Sequence, residues 1–236
     1  MSEIVPEYEG KAKQMLPGAD ASSMVQRFKD SATAFNGVKK EEFPGKGRLN
    51  NAISTHIFQA LEEAGVRTHF IERTSERDMV VKRLKMIPLE VVVRNVVTGS
   101  LAKRTGLVEG TAVNPPIVET YFKNDALGDP ILADCHVLMM NLVTEAQLAE
   151  LKELALRVNT VLSEVLEAAQ LRLVDFKLEF GFDPDGRILL GDEVSPDTCR
   201  IWDNDGRKLD KDVFRQDLAG LVETYEEVAR RLNVNV

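Results

Sequence analysis

The 236-residue chain has only two cysteines, Cys135 and Cys199, three histidines and one tryptophan. The cysteines are far apart and lack the paired spacing of a zinc site or a redox motif, which fits a reduced intracellular compartment and leaves a disulfide unneeded. His56, His69 and His136 show no metal-like spacing, and no Ser/His/Asp or Cys/His nucleophile arrangement is suggested. Positive charge is in deficit: 30 Lys and Arg stand against 38 Asp and Glu, a formal net charge of −8. Neither nucleic acid nor an anionic membrane is therefore an expected partner. No apolar run is long enough to span a bilayer, and the stretch MSEIVPEYEG has neither a basic n-region nor an apolar h-region, so a soluble, cytoplasmic protein is expected. Internal repeats and Gly/Ser linkers are missing, and neither GxxxxGK[ST] nor GxGxxG occurs.

What is present is a 44% apolar composition, enough for a substantial core. Tyr8 to Met15, a turn over Leu16–Asp20, and Ser23 to Asp30 read as a hairpin. Leu49, Ile53, Ile57 and Leu61 fall at helical spacing, with Gly65 placed to stop the helix. Strand signals resume at Thr68–Ile71 and Met79–Leu84, and the near-continuous apolar run Leu89–Val97 suggests a central strand buried on both faces. A hinge is expected at Lys85–Pro88, dividing the chain into a small β-rich part, residues 1–86, and a larger part, residues 87–236. Thr144 and Gln147 have capping-box spacing ahead of an amphipathic helix, and a last helix is expected from near Asp210 through Leu232. Strands and helices mix without regular βαβ alternation, so the class is α+β.

Four features could carry chemistry. On the strand beginning at Leu171, Asp175, Lys177 and Glu179 share one face, opposite Val174, Phe176, Leu178 and Phe180. A second strand, Ile188–Gly191, delivers Asp192 and Glu193. Carboxylates such as Glu179 and Asp192, facing one cleft from adjacent strands, suit Mg²⁺; the rival reading is a solvated strand face with weak pairing, and periodicity alone favours the rival. Lys11 and Lys13, beside the small Gly10 and Ala12, are placed on one strand face, where they could hold nucleotide phosphates or guard a sheet edge. Arg94 sits within an apolar run that Glu90 precedes, so it requires an anionic partner, either a structural acid or a ligand phosphate; Ser100 follows at a short helix start. The segment Ser195–Arg200 brings Asp197 and Arg200 near the acidic pair, or is an ordinary Pro-Asp turn. A packed Cys199 is the simpler reading of that thiol.

Taken in order, Tyr8–Lys13, Lys29–Gly37, Gly45–Asn51, Pro88–Asn95, Val174–Gly181 and Gly191–Asp197 resemble the SAICAR synthetase family, from about Tyr8 to the final helix. The resemblance implies a two-part fold related to ATP-grasp enzymes, with ATP held between the amino-terminal sheet and the larger part. It implies an Mg-ATP-dependent ligase of purine biosynthesis that joins carboxyaminoimidazole ribonucleotide (CAIR) to L-aspartate through phosphoryl activation of the carboxylate, in a homodimer. Lys11, Ala12, Lys13, Met86 and Lys123 would then bind ATP, Met86 lying against adenine, and Glu179 and Asp192 would hold Mg²⁺. Arg94, Ser100, Lys177 and Arg200 would cradle the ribonucleotide phosphate. Asp175 and Asp197 would touch the ribose and amino-imidazole, with Glu90 near the same carboxylate. Lys11, Lys13, Asp175 and Lys177 carry the catalytic roles, and the Asp30–Gly37 loop with Lys46 is assigned to aspartate. Other readings are a small-molecule kinase, which the same lysines and acids would also serve, and a nucleotide-binding module without turnover.

Overall fold

The computed structural model describes residues 5–34, 39–218 and 220–236. The amino-terminal hairpin forms, but its first strand folds on itself. β1 (Tyr8–Glu9) pairs antiparallel with β2 (Lys13–Pro17), Tyr8 opposite Met15, and β2 then pairs with β3 (Ser23–Phe28). The reversal at Gly10–Ala12 holds because its backbone groups find partners: Gly10 N–H donates to the Lys13 carbonyl at 2.8 Å, and the Lys11 and Ala12 carbonyls accept from Ser31 Oγ at 2.9 Å and Lys29 N–H at 2.8 Å. Lys11 therefore lies in a turn and does not share a strand face with Lys13.

A small ribbon follows, β4 (Ser31–Ala34) with β5 (Lys39–Glu42). Next comes α1 (Lys46–Glu63), which buries Leu49, Ile53, Ile57 and Leu61 on the expected stripe. It ends as predicted at Gly65, whose φ of 79° lets Val66 N–H reach back to the Leu61 carbonyl at 2.9 Å. β6 (Phe70–Arg73) and β7 (Asp78–Lys82) complete a sheet of order β1-β2-β3-β7-β6.

No linker separates this sheet from the rest. β8 (Lys85–Val96) runs straight through the expected hinge. It is followed by α2 (Gly99–Thr105), β9 (Ala112–Phe122), β10 (Ile131–Leu132), α3 (Asp134–Met139) and α4 (Glu145–Ala168), whose capping box at Thr144 and Gln147 forms as the spacing predicts. β11 (Leu171–Phe182), β12 (Ile188–Leu190) and β13 (Cys199–Asp203) return to the second sheet, of order β10-β9-β8-β11-β12, with β13 also on β11. β8 is its central strand, as its apolar run requires. Its pairing with β11 shifts register between Glu90 opposite Glu179 and Met86 opposite Gly181. Pro88 lies in that bulge, where a residue without an N–H removes least from the ladder.

The final helix is two helices, α5 (Asp212–Arg215) and α6 (Leu221–Arg231), with Gly220 at φ 82° capping the second. One hydrophobic cluster takes in Phe28 of the first sheet and Ile53 of α1 together with Val91 and Phe176 of the second sheet and Leu162 of α4, and Thr68 bridges to Leu190 between the sheets.

Candidate active site

The pleat of β11 sets the site. Val174, Phe176, Leu178 and Phe180 are buried on one face, and Asp175, Lys177 and Glu179 project from the other into a cleft of about 1000 Å³. This is not a solvated face, since Asp175 and Glu179 are each only 3% exposed. Across the β8–β11 ladder Arg94 stands opposite Asp175, and Glu90 opposite Glu179.

At one end of the cleft Asp175 Oδ2 accepts from Arg94 Nη1 at 2.5 Å and Arg200 Nη1 at 2.8 Å. Arg94 also reaches Glu119, Ser100 Oγ and Tyr121 OH at 3.1, 3.0 and 3.1 Å. The anionic partner its burial demands thus exists within the protein, while the guanidinium still lines the cleft. Gly99, at φ 52°, passes so near Arg200 that a Cβ there would lie 2.8 Å from Nη2. The absence of a side chain at Gly99 lets backbone and guanidinium face the same space.

In the middle, Lys177 Nζ lies 2.6 Å from Glu179 Oε1, 3.1 Å from Glu90 Oε1 and 3.7 Å from Asp192 Oδ2. Glu179 Oε2 is paired with Lys123, and Asp192 Oδ1 with Lys13, which also meets Glu193 at 2.9 Å. Burial works against every charge here. For Lys13 and Lys177 the surrounding carboxylates outweigh it and hold both ammoniums above their ordinary pKa; Lys13, Lys177 and Lys123 likewise hold Asp192 below the usual carboxylate range. Asp192 is left-handed, φ 60°, and its carbonyl accepts from the buried Gln26 amide at 3.2 Å. Glu179 on β11 and Asp192 just beyond β12 thus both turn a carboxylate oxygen toward Lys177 Nζ, and such a pair could serve a hard divalent cation whose shell substrate phosphates and water complete. Among the described residues no group of three His, Cys, Asp or Glu is arranged to hold a metal by itself.

Lys11 is half-exposed and pairs with Asp125 at 2.8 Å, on the opposite lip of the cleft. Met86, 44% exposed, lies over Gly181 and Gly191: a Cβ on either would come 3.2 Å from its thioether sulfur or methyl. Beside it is His69, whose pKa burial pushes down to about 3 and whose Nε2 has no hydrogen-bond partner among the described residues.

Asp197 closes the far wall. Its carboxylate accepts from Lys46 Nζ at 2.6 Å, Asn50 Nδ2 at 2.9 Å and Tyr225 OH at 2.7 Å. Lys46 is fully buried behind Asp197 and does not line the cleft, and Phe35, Asn36 and Gly37 of the associated loop lie outside the described residues. Cys199 is buried, and burial raises its thiol far above its ordinary pKa, so it is not a nucleophile.

Every site residue expected from the sequence, apart from Lys46 and most of the loop, lines this one cleft; of the loop's described residues Thr33 alone does. Sequence reasoning missed Glu119, Tyr121, Gln26, Lys211 and Arg215, and placed Glu193 beside Asp192 without a role. Glu119 and Tyr121 alternate on β9 and could have been paired with Arg94 by strand parity, whereas Gln26 and Lys211 carry no signal short of the tertiary fold.

A family model described as SAICAR synthetase matches residues 6–232. A phosphoribosylaminoimidazole-succinocarboxamide synthase of Bacillus cereus (strain G9842) is 52% identical over 226 residues, 95% of each chain. The crystal structure of the synthase of that name from Ehrlichia chaffeensis superposes with a TM-score of 0.96 at 42% identity, covering 98% of this chain and 100% of the other. A SAICAR synthetase solved in complex with ADP gives a TM-score of 0.93 at 50% identity, over 95% and 96%. With matches that span nearly its whole length in sequence and in fold, the chain belongs to the SAICAR synthetase family.

Proposed function

We infer that this chain catalyses the family's reaction, the ATP-dependent joining of CAIR to L-aspartate to give SAICAR, ADP and phosphate in purine biosynthesis. The observation that carries the reading at the site is the run of cations and acids on β8 and β11, with Arg94 and Arg200 at one end and Lys13, Lys177 and Lys123 around Glu179 and Asp192 at the other.

A carboxylate is a poor acyl donor because its leaving oxygen is too basic. Transfer of the γ-phosphoryl group to a carboxylate oxygen of CAIR releases ADP and creates a better leaving group. The aspartate amine then attacks the acyl carbon, phosphate departs, the nitrogen gives up a proton, and an amide remains. Such chemistry needs positioning and charge neutralisation rather than a protein nucleophile, which fits a cleft of lysines, arginines and carboxylates. On this reading Lys11, Lys13 and Lys123 hold ATP phosphates, with the Ala12 backbone beside them and Met86 under adenine. Arg94, Ser100, Lys177 and Arg200 hold the ribonucleotide, Asp175 and Asp197 orient its ribose and amino-imidazole, and Glu90 flanks its carboxylate. Glu179 and Asp192 would hold Mg²⁺, which supplies charge neutralisation at the transferring phosphoryl group. The two sheets would act as two lobes, residues 1–86 and 87–236, of a cytoplasmic homodimer.

The test is phosphate release with Mg-ATP and CAIR, with and without L-aspartate, beside Asp192→Asn. Release that requires both organic substrates and collapses in the variant is expected. Release independent of aspartate would favour a kinase, and no release would overturn the assignment.

A further inference from the structure

Lys211, a cation lining this cleft, meets Asp197 only as a loose ion pair. It caps α5 at the start, and its backbone N–H donates to the Pro196 carbonyl at 3.1 Å, which ties it to the turn that carries Asp197. The side chain is 11% exposed, and its Nζ stands 3.8 Å from Asp197 Oδ1, beyond hydrogen-bond reach. Asp197 is already bonded to Lys46, Asn50 and Tyr225. Among the described residues the Lys211 ammonium has no hydrogen-bond acceptor, and it lines the cleft. A nearly buried ammonium with unmet donors is costly unless an anion arrives from outside.

Arg215 lies four residues on, at the other end of the same helical turn, and also lines the cleft. Its one acid, Asp212, is shared: Asp212 takes Arg215 Nη1 on Oδ1 at 2.6 Å and Arg200 Nε on Oδ2 at 2.9 Å. Asp197 thus meets two ammoniums, Lys46 and Lys211, and Asp212 two guanidiniums, Arg200 and Arg215, with Arg200 also bonded to Asp175. Burial, helped by Lys46 and Arg215, depresses the Lys211 pKa despite the pull of Asp197 and Glu193.

We propose that Lys211 and Arg215 bind the carboxylates of the amino-dicarboxylate co-substrate and so set the enzyme's specificity for it. The inference rests on the reaction inferred above, in which Asp197 faces the amino-imidazole; an anion on Lys211 then lies beside the acyl carbon to be attacked. Two cations one helical turn apart, roughly 5–6 Å between their Cβ atoms, match the spread of a four-carbon diacid. Arg94, Ser100 and Arg200, gathered around Asp175, leave the phosphate of the ribonucleotide a separate place.

The experiment compares wild type with Lys211→Met, Lys211→Arg and Arg215→Gln in two assays. In steady-state kinetics both charge-removing variants are expected to raise KM for L-aspartate by about tenfold or more, the scale of a lost charge-assisted bond, and to leave KM for ATP and CAIR within about threefold. Lys211→Arg should recover part of the loss. Without turnover, succinate should raise the melting temperature of wild type loaded with Mg-ADP and CAIR, and should fail to do so in Lys211→Met and Arg215→Gln. A rise in KM for CAIR in place of aspartate would overturn the proposal by assigning the pair to the ribonucleotide, and unchanged constants would overturn it outright. Should Lys211→Met not fold, the more exposed Arg215→Gln decides alone. Failure of wild type to form any amide would instead overturn the reaction.

Discussion

The ammonium of Lys177, on β11, reaches the carboxylate of Asp192, just beyond β12, at 3.7 Å from Oδ2. One lysine thereby ties together the two acids that would share a divalent cation, since it also bonds Glu179 at 2.6 Å. Removing charge from Asp192 takes one acid from Lys13 and Lys177, which keep Glu193 and Glu179. Asp192→Asn should lower kcat on the order of 10²-fold or more, as losing one preorganised electrostatic group does elsewhere. Mg²⁺ titration of ADP binding should weaken in parallel. Wild-type-like Mg²⁺ dependence in the variant would remove Asp192 from the metal site.

Tyr225 is wholly buried and donates to Asp197 Oδ1 at 2.7 Å. Tyr225→Phe keeps the packing and deletes one donor to a buried carboxylate. The expected loss is about 1–3 kcal/mol, which for a chain of this length lowers Tm by roughly 2–4 °C per kcal/mol. A thermal melt checks it, and KM for CAIR should rise if Asp197 is loosened.

Asp210 is buried without exposure beneath β13, and burial together with neighbouring Asp212 pushes its pKa up to about 7, against backbone N–H donors from Ile201 and Asp212. A carboxyl raised in the folded state binds more protons than the unfolded chain between the ordinary value of 3.8 and about 7. Its contribution to stability is therefore full below that window and lost as pH rises through it. Asp210→Asn should be the poorer protein at low pH and gain on wild type as pH rises to 8. Melts at a series of pH values would show a constant gap if the group does not titrate there.

A Cβ on Gly181 would stand 2.7 Å from Leu84 Cβ and 3.2 Å from Met86 Sδ. Gly181→Ala should cost about 1–3 kcal/mol as overpacking and push Met86 into the cleft. KM for ATP should increase while KM for CAIR holds. An unchanged KM for ATP would separate Met86 from the nucleotide.

The local elements were legible where one face of a regular element decides burial. The stripe of α1, the capping box of α4 and the alternation on β11 all follow from period 3.6 or period 2, and each forms as expected. What failed did so where a long-range partner overrode local pattern. Tyr8–Met15 reads as one strand, but Lys29 and Ser31 take the backbone groups that let it turn at Gly10. The boundary expected at Lys85–Pro88 is not a failure of this kind; it falls within β8, which crosses it as a strand and takes Pro88 into a bulge. The acidic strand face of Asp175 and Glu179 looked solvated by parity, since parity cannot tell a cleft from open water. Lys46, assigned with its loop to aspartate, is bonded within the protein to an acid 151 positions away.

The unbroken run of β8 past Pro88 makes this strand a fixed gauge. Met86, Glu90 and Arg94 all line the cleft from that single strand, so if Met86 lies under the base and Arg94 holds the ribonucleotide phosphate, as proposed above, eight residues of extended chain, at most about 26 Å, set the distance between them. On that reading, any movement of the amino-terminal sheet would carry its lysines toward or away from the phosphates without altering the separation of the two substrates along the strand. Lengthening β8 by two residues would keep every side chain on its proper face and still hold the phosphoryl donor and its acceptor out of reach of each other.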